Sequence, residues 1–349
     1  MDAQWHEVMD QNIGRMKNFA DMVSNAKEPP VGSTPREEIY RRHKARLYRY
    51  ASDRRHRTPV LFVPNLGISR PYIFDLLPQR SFIEHMAREA GFDFYLLDWG
   101  VFGAEDNRLT VEECVTRTLP RMIKKAMARS DAREISVIGY CMGAPLAASF
   151  IATNPDVGVK NFVNMAGPID FSKIGLFGRW LDSKYFDVDK FVDTLGQIPS
   201  DLVRAGFKML KPSMDLTTGL NLWWNLWNDG YVEGFSALNK WANDYVPLPG
   251  EFFRQWVKHF YQENRLIRGQ LTMGEKPVRL SDVRCPVLVI GATEDNIAPP
   301  ESVKALIDVV GSDDKRYAEL PGAHISLIAG RGAAKHCWPV VSEWLAARS

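Results

Sequence analysis

The chain has 349 residues, of which 45% are hydrophobic and 25% are charged. This composition is typical of a folded globular protein and excludes a disordered or collagen-like chain. The 44 basic and 42 acidic residues nearly balance, which argues against nucleic acid as the main partner. Four cysteines in a chain of this length indicate reduced thiols in the cytoplasm and no disulfide framework. We find no apolar run long enough for a transmembrane segment, and the acidic N-terminus does not match a signal peptide.

Residues 1–57 are polar and predict a helical N-terminal segment. Between positions 36 and 57 this segment is rich in Arg, Lys and His. Two interpretations fit such a basic run. It forms the solvated face of a helix, or it contacts the phosphates of a cofactor-linked substrate or an anionic surface.

From residue 58 onward, short apolar runs alternate with helical patterns. Strands are predicted within 59–65, 92–100, 134–152, 159–170, 285–300 and 315–330. Helices are predicted at 80–91, at 111–129 with a kink or restart at Pro120, after the turn within 134–152, at 301–310, and at 339–349. This alternation predicts an α/β core, formed by residues 58–170 and 281–349, with a mostly parallel central sheet flanked by helices.

Residues 171–280 interrupt this alternation with a helical, aromatic-rich stretch. We expect it to be a cap or lid inserted in the core. After residue 220 the stretch contains five of the ten tryptophans, which are Trp223, Trp224, Trp227, Trp241 and Trp256. Three interpretations fit these tryptophans. They form the core of a helical subdomain, they line an apolar substrate channel, or they make a dimer contact.

The sequence Gly139-Tyr140-Cys141-Met142-Gly143 has the form of a nucleophile elbow, with cysteine at the nucleophile position. The apolar run ISVIG before it predicts a strand, and APLAASFIA after it predicts a helix. On such a sharp turn the residues two positions away must lack bulk, which explains Gly139 and Gly143. The positive end of the following helix would stabilise a thiolate at Cys141.

A cysteine nucleophile needs a base and a group that orients the base. In this fold the chain order is nucleophile, acid, histidine. Asp295 follows the apolar run VLVIGATE, and His324 lies in the loop LPGAHISL. Both are predicted at the carboxyl ends of strands, where open α/β sheets place their sites. The neighbouring Glu294 is an alternative to Asp295, which we favour.

Two backbone N–H groups are needed to stabilise an oxyanion. Met142, which follows the nucleophile, is expected to supply one of them. The loop after the strand at 59–65 is expected to supply the other, with Gly67 and Ile68 as candidates. The scattered cysteines and the lack of CxxC or HExxH motifs predict no metal site, and no dinucleotide or P-loop fingerprint is present.

With these features, the chain resembles the catalytic subunit of polyhydroxyalkanoate synthases, most closely the short class III and class IV enzymes. The resemblance covers residues 59–349. It rests on the segments NLGISRPYIFDLLPQRSFIEHM, FYLLDWG, GYCMG, GPIDF and FRQWVKHFYQENRLIRGQL, together with the Asp295 and His324 loops. RPYIFDLLP and FYQENRLIRG are the most specific of these segments.

The resemblance implies an α/β-hydrolase fold with a mobile cap. It also implies polymerisation of (R)-3-hydroxyacyl-CoA to a polyester with release of CoA, without a further cofactor. Cys141 then matches the nucleophile, His324 the general base and Asp295 the carboxylate that assists the hydroxyl or orients His324. Ile68 matches the oxyanion donor of the loop. Such proteins are implied to be cytoplasmic, to act at the granule surface as dimers, and to need a non-catalytic second subunit.

The chain departs from the pattern of that family at three positions. Asn296 stands where histidine commonly follows the aspartate, Ala144 where class III members tend to have glycine, and Ser326 where the histidine loop usually has glycine. A thiolate exchanges with a CoA thioester at little cost, so a cysteine elbow favours acyl transfer. Two alternatives fit the same residues. One is a cysteine-dependent hydrolase, either a polyester depolymerase or a thioesterase, and the other is a non-catalytic granule-binding relative.

Overall fold

The computed structural model describes residues 2–24, 28–53, 55–210 and 214–349. Met1, 25–27, Arg54 and 211–213 belong to the predicted N-terminal and cap segments and lie outside the described residues. Within the described ranges, eight strands form the central sheet. They are β1 (Arg36–Arg42), β2 (Ala45–Tyr50), β3 (Val60–Val63), β4 (Phe94–Asp98), β5 (Ile135–Tyr140), β6 (Val159–Met165), β7 (Val287–Ala292) and β8 (Lys315–Leu320).

The strand order across the sheet is β1-β2-β4-β3-β5-β6-β7-β8. The neighbouring pairs from β4 to β8 are parallel, whereas β2 is antiparallel to both β1 and β4. Parallel strands need crossover connections, which explains why helices follow most of them and cover both faces. The central strand β5 carries the predicted elbow at its carboxyl end.

Alternate residues of each central strand contribute to two separate hydrophobic cores. In β3, Leu61 and Val63 belong to one core, whereas Val60 and Phe62 belong to the other. All four side chains are fully buried. A strand buried on both faces is a continuous apolar run in the sequence, which is why such runs predicted these strands.

The prediction of a helix at 36–57 is wrong. A 22-residue helix occupies Asp2–Val23, but the basic run forms the antiparallel hairpin β1–β2 at one edge of the sheet. The hairpin turns at His43, which has a φ of 51°. Ala45, Leu47 and Tyr50 of β2 are buried against the sheet. This segment is therefore a strand because β2 pairs with β4. Its many charged residues hid the alternation of buried and exposed side chains that is typical of a strand.

Cations of this hairpin contact carboxylates. Arg49 donates to Asp93 at 2.7 Å, and Lys44 lies 2.7 Å from Glu105. Neither cation lines the cavity that contains Cys141. These ion pairs favour a structural role for the basic residues over contact with substrate phosphates.

Among the described residues, nine longer helices flank the sheet or form the cap segment. They are α1 (Asp2–Val23), α2 (Leu119–Ser130), α3 (Gly143–Thr153), α4 (Val188–Leu195), α5 (Ser200–Leu210), α6 (Met214–Asn225), α7 (Asp229–Asn243), α8 (Pro300–Val309) and α9 (Trp338–Ala346). Shorter α-helices lie at Phe82–Glu84, Val111–Glu113, Leu176–Trp180, Gly250–Gln255, Ser326–Ala329 and Ala333–His336. In the part of the chain that the structure describes, no helix could span a membrane.

The helix predicted at 111–129 contains a wider turn. Residues Cys114–Thr118 form a π-helical turn between the short helix Val111–Glu113 and α2. Pro120 lies near the start of α2, and a proline cannot donate the backbone hydrogen bond of a regular helix. The irregularity predicted at Pro120 therefore begins just before it.

The predicted cap segment contains α4 to α7 and is joined to the core by a short backbone pairing. Tyr245–Val246 pairs antiparallel with Ile68–Ser69, in the loop after β3. The tryptophans of this segment differ in environment. Trp256 is buried, Trp241 lines the cavity described below, and Trp223, Trp224 and Trp227 are exposed.

Candidate active site

Cys141 lies on a sharp turn between β5, which ends at Tyr140, and α3, which begins at Gly143. Its φ of 52° is in the left-handed region, which non-glycine residues rarely adopt. The Cys141 N–H donates to the carbonyl of Met165 at 3.0 Å, and its own carbonyl accepts from Ala144 at 3.1 Å. Backbone strain of this kind is common at functional sites, where the surrounding structure maintains it.

The two elbow glycines are required by crowding around this turn. A Cβ on Gly139 would lie 2.8 Å from the backbone nitrogen of Ala144. A Cβ on Gly143 would overlap the carbonyl oxygen of Val63 and lie 2.6 Å from that of Pro64. Both neighbours are backbone atoms that cannot rotate away, so the turn admits no side chain at either position.

His324 and Asp295 form a buried pair beside Cys141. The Nδ1 atom of His324 lies 2.6 Å from Oδ2 of Asp295, and each residue is 4% exposed. The other carboxylate oxygen accepts from the N–H groups of Ile297 at 2.8 Å and Ala298 at 2.9 Å. The carboxylate is thus fixed by two backbone donors while it holds the imidazole.

Burial disfavours the charged imidazole of His324, but two neighbours outweigh this effect. The carboxylate of Asp295 and the sulfur of Cys141 raise the pKa of His324 to about 10 from its ordinary 6.5. At neutral pH His324 is therefore an imidazolium, with a carboxylate on one side and the cysteine on the other.

The structure distinguishes between the two predicted carboxylates. Glu294 is exposed and lies on the wall of the cavity, whereas the adjacent Asp295 is buried and contacts His324. A predicted orienting group must contact the base, so the geometry favours Asp295 over Glu294.

The loop after β3 approaches the elbow in a strained conformation. Both Gly67 and Ile68 have left-handed backbones, with φ values of 63° and 66°. Asn65 donates from its side chain to the carbonyl of Gly67 at 2.7 Å. Ile68 is paired in register with Val246 of the cap segment. A left-handed conformation is rare for a β-branched residue such as isoleucine and is consistent with a functional constraint on this backbone.

Cys141 and His324 open into a cavity of about 650 Å³ between the core and the cap segment. Its size is within the range of small-molecule sites, roughly 300–1,000 Å³. Most of the lining is apolar, and it includes Ile68, Ile73, Phe207, Leu210, Trp241 and Tyr245. A cavity of this kind suits a substrate that is largely uncharged near the reacting atoms.

Residues 58–330 match the family model of the alpha/beta hydrolase fold. The chain is 34% identical to the poly(3-hydroxyalkanoate) polymerase subunit PhaC of Thiocystis violacea, over 100% of this chain and 98% of the relative. It is 33% identical to that of Haloferax mediterranei, over 99% of this chain and 70% of the relative.

The chain belongs to the PhaC family of poly(3-hydroxyalkanoate) polymerases. Among solved structures, the monoacylglycerol lipase of Paleococcus ferrophilus superposes with a TM-score of 0.54 at 17% identity. That match covers 87% of this chain and 98% of the lipase. It shows the α/β-hydrolase fold that the sequence predicted.

Ala144, which stands where class III members of the PhaC family tend to have glycine, is accommodated by a neighbouring glycine. It is fully buried, and a Cβ on Gly167 would overlap its methyl group. The other two departures, Asn296 and Ser326, lie on the cavity wall beside His324. None of the three interrupts the contact between Asp295 and His324.

Two tyrosines near Cys141 were not selected by the sequence reasoning. The hydroxyl of Tyr140 donates to the backbone carbonyl of His324 at 3.1 Å and so fixes the histidine loop on β5. Burial and the nearby sulfur of Cys141 raise the pKa of Tyr261. The position of Tyr140 next to the cysteine was visible in the elbow sequence, but nothing in the sequence linked Tyr261 to the site.

Proposed function

We propose that this protein polymerises (R)-3-hydroxyacyl-CoA thioesters to a polyester and releases CoA, with Cys141 as the residue that carries the acyl chain. Membership of the PhaC family supports the reaction. The observation that supports the residue is the strained turn that presents Cys141 to His324 inside an apolar cavity.

In the first step, Cys141 attacks the carbonyl carbon of the thioester as a thiolate, paired with the imidazolium of His324. The bond between that carbon and the CoA sulfur breaks, and His324 donates its proton to the departing CoA thiolate. The raised pKa of His324 supports this role, because the imidazolium is present before the substrate arrives. The backbone N–H groups of Met142 and Ile68 are proposed to stabilise the oxyanion that forms in between.

In the second step, a hydroxyl group attacks the acyl thioester on Cys141. The neutral His324 accepts the hydroxyl proton, an ester bond forms, and the thiolate is regenerated. Asp295 orients His324 and stabilises its positive charge, or assists the hydroxyl directly. The apolar lining of the cavity supports transfer to a hydroxyl, because it disfavours the water that would hydrolyse the intermediate.

The remaining parts of the proposal follow the family resemblance. The preferred monomer has a short side chain, as in 3-hydroxybutyryl-CoA, and no further cofactor takes part. The protein acts in the cytoplasm at the surface of polyester granules. It works as a homodimer and with a non-catalytic second subunit.

The test is incubation of the purified protein with (R)-3-hydroxybutyryl-CoA, with Cys141→Ala as the control. Free CoA and the fate of the acyl group are followed together. CoA release with insoluble polyester, lost in the variant, is the expected result. CoA release with only soluble hydroxybutyrate would identify a thioesterase instead. No release, alone or with a candidate second subunit, would favour a non-catalytic protein.

A further inference from the structure

The residues that follow the loop of Ile68 contact the end of helix α7 in the cap segment. The indole N–H of Trp241 donates to the backbone carbonyl of Arg70 at 3.0 Å. The hydroxyl of Tyr72 donates to Oδ2 of Asp244 at 3.2 Å, and Nε of Arg70 lies 3.8 Å from the same oxygen. We call Arg70, Tyr72 and Asp244 the Asp244 cluster. Its contacts join the cap segment to the core beside Ile68.

The Asp244 cluster extends the short backbone pairing between the loop and the cap segment. That pairing joins residues 68–69 to residues 245–246. Arg70 directly follows one of the paired segments, and Asp244 directly precedes the other. An isolated pairing of two strands is only marginally stable in water. The side chains of the cluster therefore help to fix how the two segments lie against each other.

The loop also packs closely against the chain that follows this pairing. A Cβ on Gly67 would lie 2.6 Å from the side chain of Leu248 and 3.0 Å from the carbonyl oxygen of Pro247. Both Gly67 and Ile68 have left-handed backbones. For a β-branched residue such a conformation costs energy and persists only where the surrounding structure holds it. The conformation at Ile68 therefore depends on where the end of α7 and the residues after it lie.

The Asp244 cluster lies outside the cavity. Neither Tyr72 nor Asp244 is among the side chains that line the cavity beside Cys141. Burial and the adjacent carboxylate of Asp244 raise the pKa of Tyr72, so its hydroxyl keeps its proton and remains a donor at neutral pH. Any effect of these two residues on the reaction must therefore pass through the loop of Ile68.

We infer that Asp244 and Tyr72 are positioning residues, which place the backbone N–H of Ile68 where the oxyanion forms. The inference rests on the proposed function, in which Ile68 is an oxyanion donor. Such a donor acts only at hydrogen-bond distance, and a displacement of about 1 Å lowers a rate by up to about a hundredfold. Loss of the contact between Tyr72 and Asp244 therefore weakens the binding of an oxyanion more than the binding of a ligand without one.

The test compares the binding of two CoA analogues to the full chain by titration calorimetry. The first carries a trifluoromethyl ketone close to the position of the thioester carbonyl. The thiolate of Cys141 forms a bond to the ketone carbon, and the electron pair of the C=O double bond moves to the oxygen, which becomes an oxyanion. The second analogue is a CoA thioether of the same length without a carbonyl. The ratio of the two dissociation constants measures how well the site stabilises the oxyanion, and it requires no polymerisation.

Three variants remove the contact to different extents. Asp244→Ala and Tyr72→Phe are each expected to weaken binding of the ketone roughly tenfold or more and to leave binding of the thioether within about twofold. Asp244→Asn keeps an oxygen that can accept from Tyr72 and should retain most of the affinity for the ketone.

Asp314→Ala is the matched control. Asp314 pairs with Arg348 at 2.8 Å, and its side chain is 49% exposed, against 45% for that of Asp244. Ion pairs between such exposed groups contribute little to stability. The control and Asp244→Ala should therefore both melt close to the native protein, and the control should bind both analogues as the native protein does.

The outcomes separate this inference from the proposed function. A selective loss of affinity for the ketone in Asp244→Ala and Tyr72→Phe, absent from the control, supports the inference. If both variants keep the native preference for the ketone, the inference is overturned while the proposed function stands. An equal loss for both analogues also overturns it, because the cluster would then shape the cavity and not the oxyanion site. A native protein that binds the two analogues alike, or binds neither, overturns the proposed oxyanion donors and this inference together.

Discussion

Replacing Asp295 by asparagine removes a charge from the site with almost no change in shape. The native carboxylate accepts from His324 with one oxygen and from the N–H groups of Ile297 and Ala298 with the other. In Asp295→Asn, the amide oxygen can still accept from the two backbone donors. The amide NH₂ then faces Nδ1 of His324, which must become an acceptor. The histidine therefore carries its proton on the nitrogen that faces Cys141 and cannot accept one there.

The loss of the correct tautomer in serine-protease triads reduces kcat by about 10⁴. For this buried pair, with its contact of 2.6 Å, we expect a loss of similar size in polymerisation. A range of about 10³ to 10⁴ corresponds to about 4–5 kcal/mol of transition-state stabilisation. The assay is the initial rate of CoA release from (R)-3-hydroxybutyryl-CoA, measured with the melting temperature of each variant.

Two further variants make this experiment discriminating. Asp295→Ala leaves the N–H groups of Ile297 and Ala298 without an acceptor and should lower the free energy of unfolding by roughly 2–5 kcal/mol more than Asp295→Asn does. Glu294→Gln changes the neighbouring carboxylate, which does not contact His324. If Asp295→Asn kept its rate within about tenfold while Glu294→Gln lost activity, Asp295 would not be the orienting group.

Three other substitutions test the remaining geometry. Gly143→Ala should destabilise the fold by roughly 2–4 kcal/mol, seen as a lower melting temperature, because its Cβ would collide with backbone carbonyls that cannot move. Gly67→Ala should lower kcat about a hundredfold, because the Cβ would lie 2.6 Å from Leu248 and displace the loop that carries the proposed oxyanion donor. His324→Gln tests pH dependence. Since the folded state raises the pKa of His324 from 6.5 to about 10, the stability that its protonation contributes is complete below pH 6.5 and lost as pH rises to about 10. Urea unfolding should therefore show the native advantage over His324→Gln shrinking across this interval, and a constant difference would contradict the raised pKa.

The parts of the fold that could be predicted from the sequence are those where burial is complete. In β3 and β5 every side chain is buried, so the apolar runs marked the strands directly. The hairpin β1–β2 could not be predicted in this way. Arg49 is stabilised by Asp93, which is 44 positions away, and the strands form because β4 offers an edge to pair with. Neither partner can be read from the local charge pattern.

The same distinction applies to the site. Cys141, Asp295 and His324 could be chosen because each follows a predicted strand, and parallel strands bring their carboxyl ends to one edge of a sheet. The side chains do lie together, whereas their chemical roles remain predictions. The pairing of Ile68 with Val246 joins positions 178 residues apart and had no sequence signal. The electrostatic effect of Cys141 on the pKa of Tyr261 likewise depends on how the cap segment folds over the core.

Strain at Cys141 and at Ile68 has different sources, and this explains why only the first could be anticipated. The turn at Cys141 is strained because β5 must pass directly into α3. The crowding at this turn requires glycine at positions 139 and 143, and these glycines are visible in the sequence. Ile68 is held in a left-handed conformation by Asn65 on one side and by the backbone of the cap segment on the other. Its strain is therefore set by contacts that only the folded chain provides. If Ile68 supplies the proposed oxyanion donor, the position of that donor depends on the cap segment as well as on the core, because the two are joined at this residue.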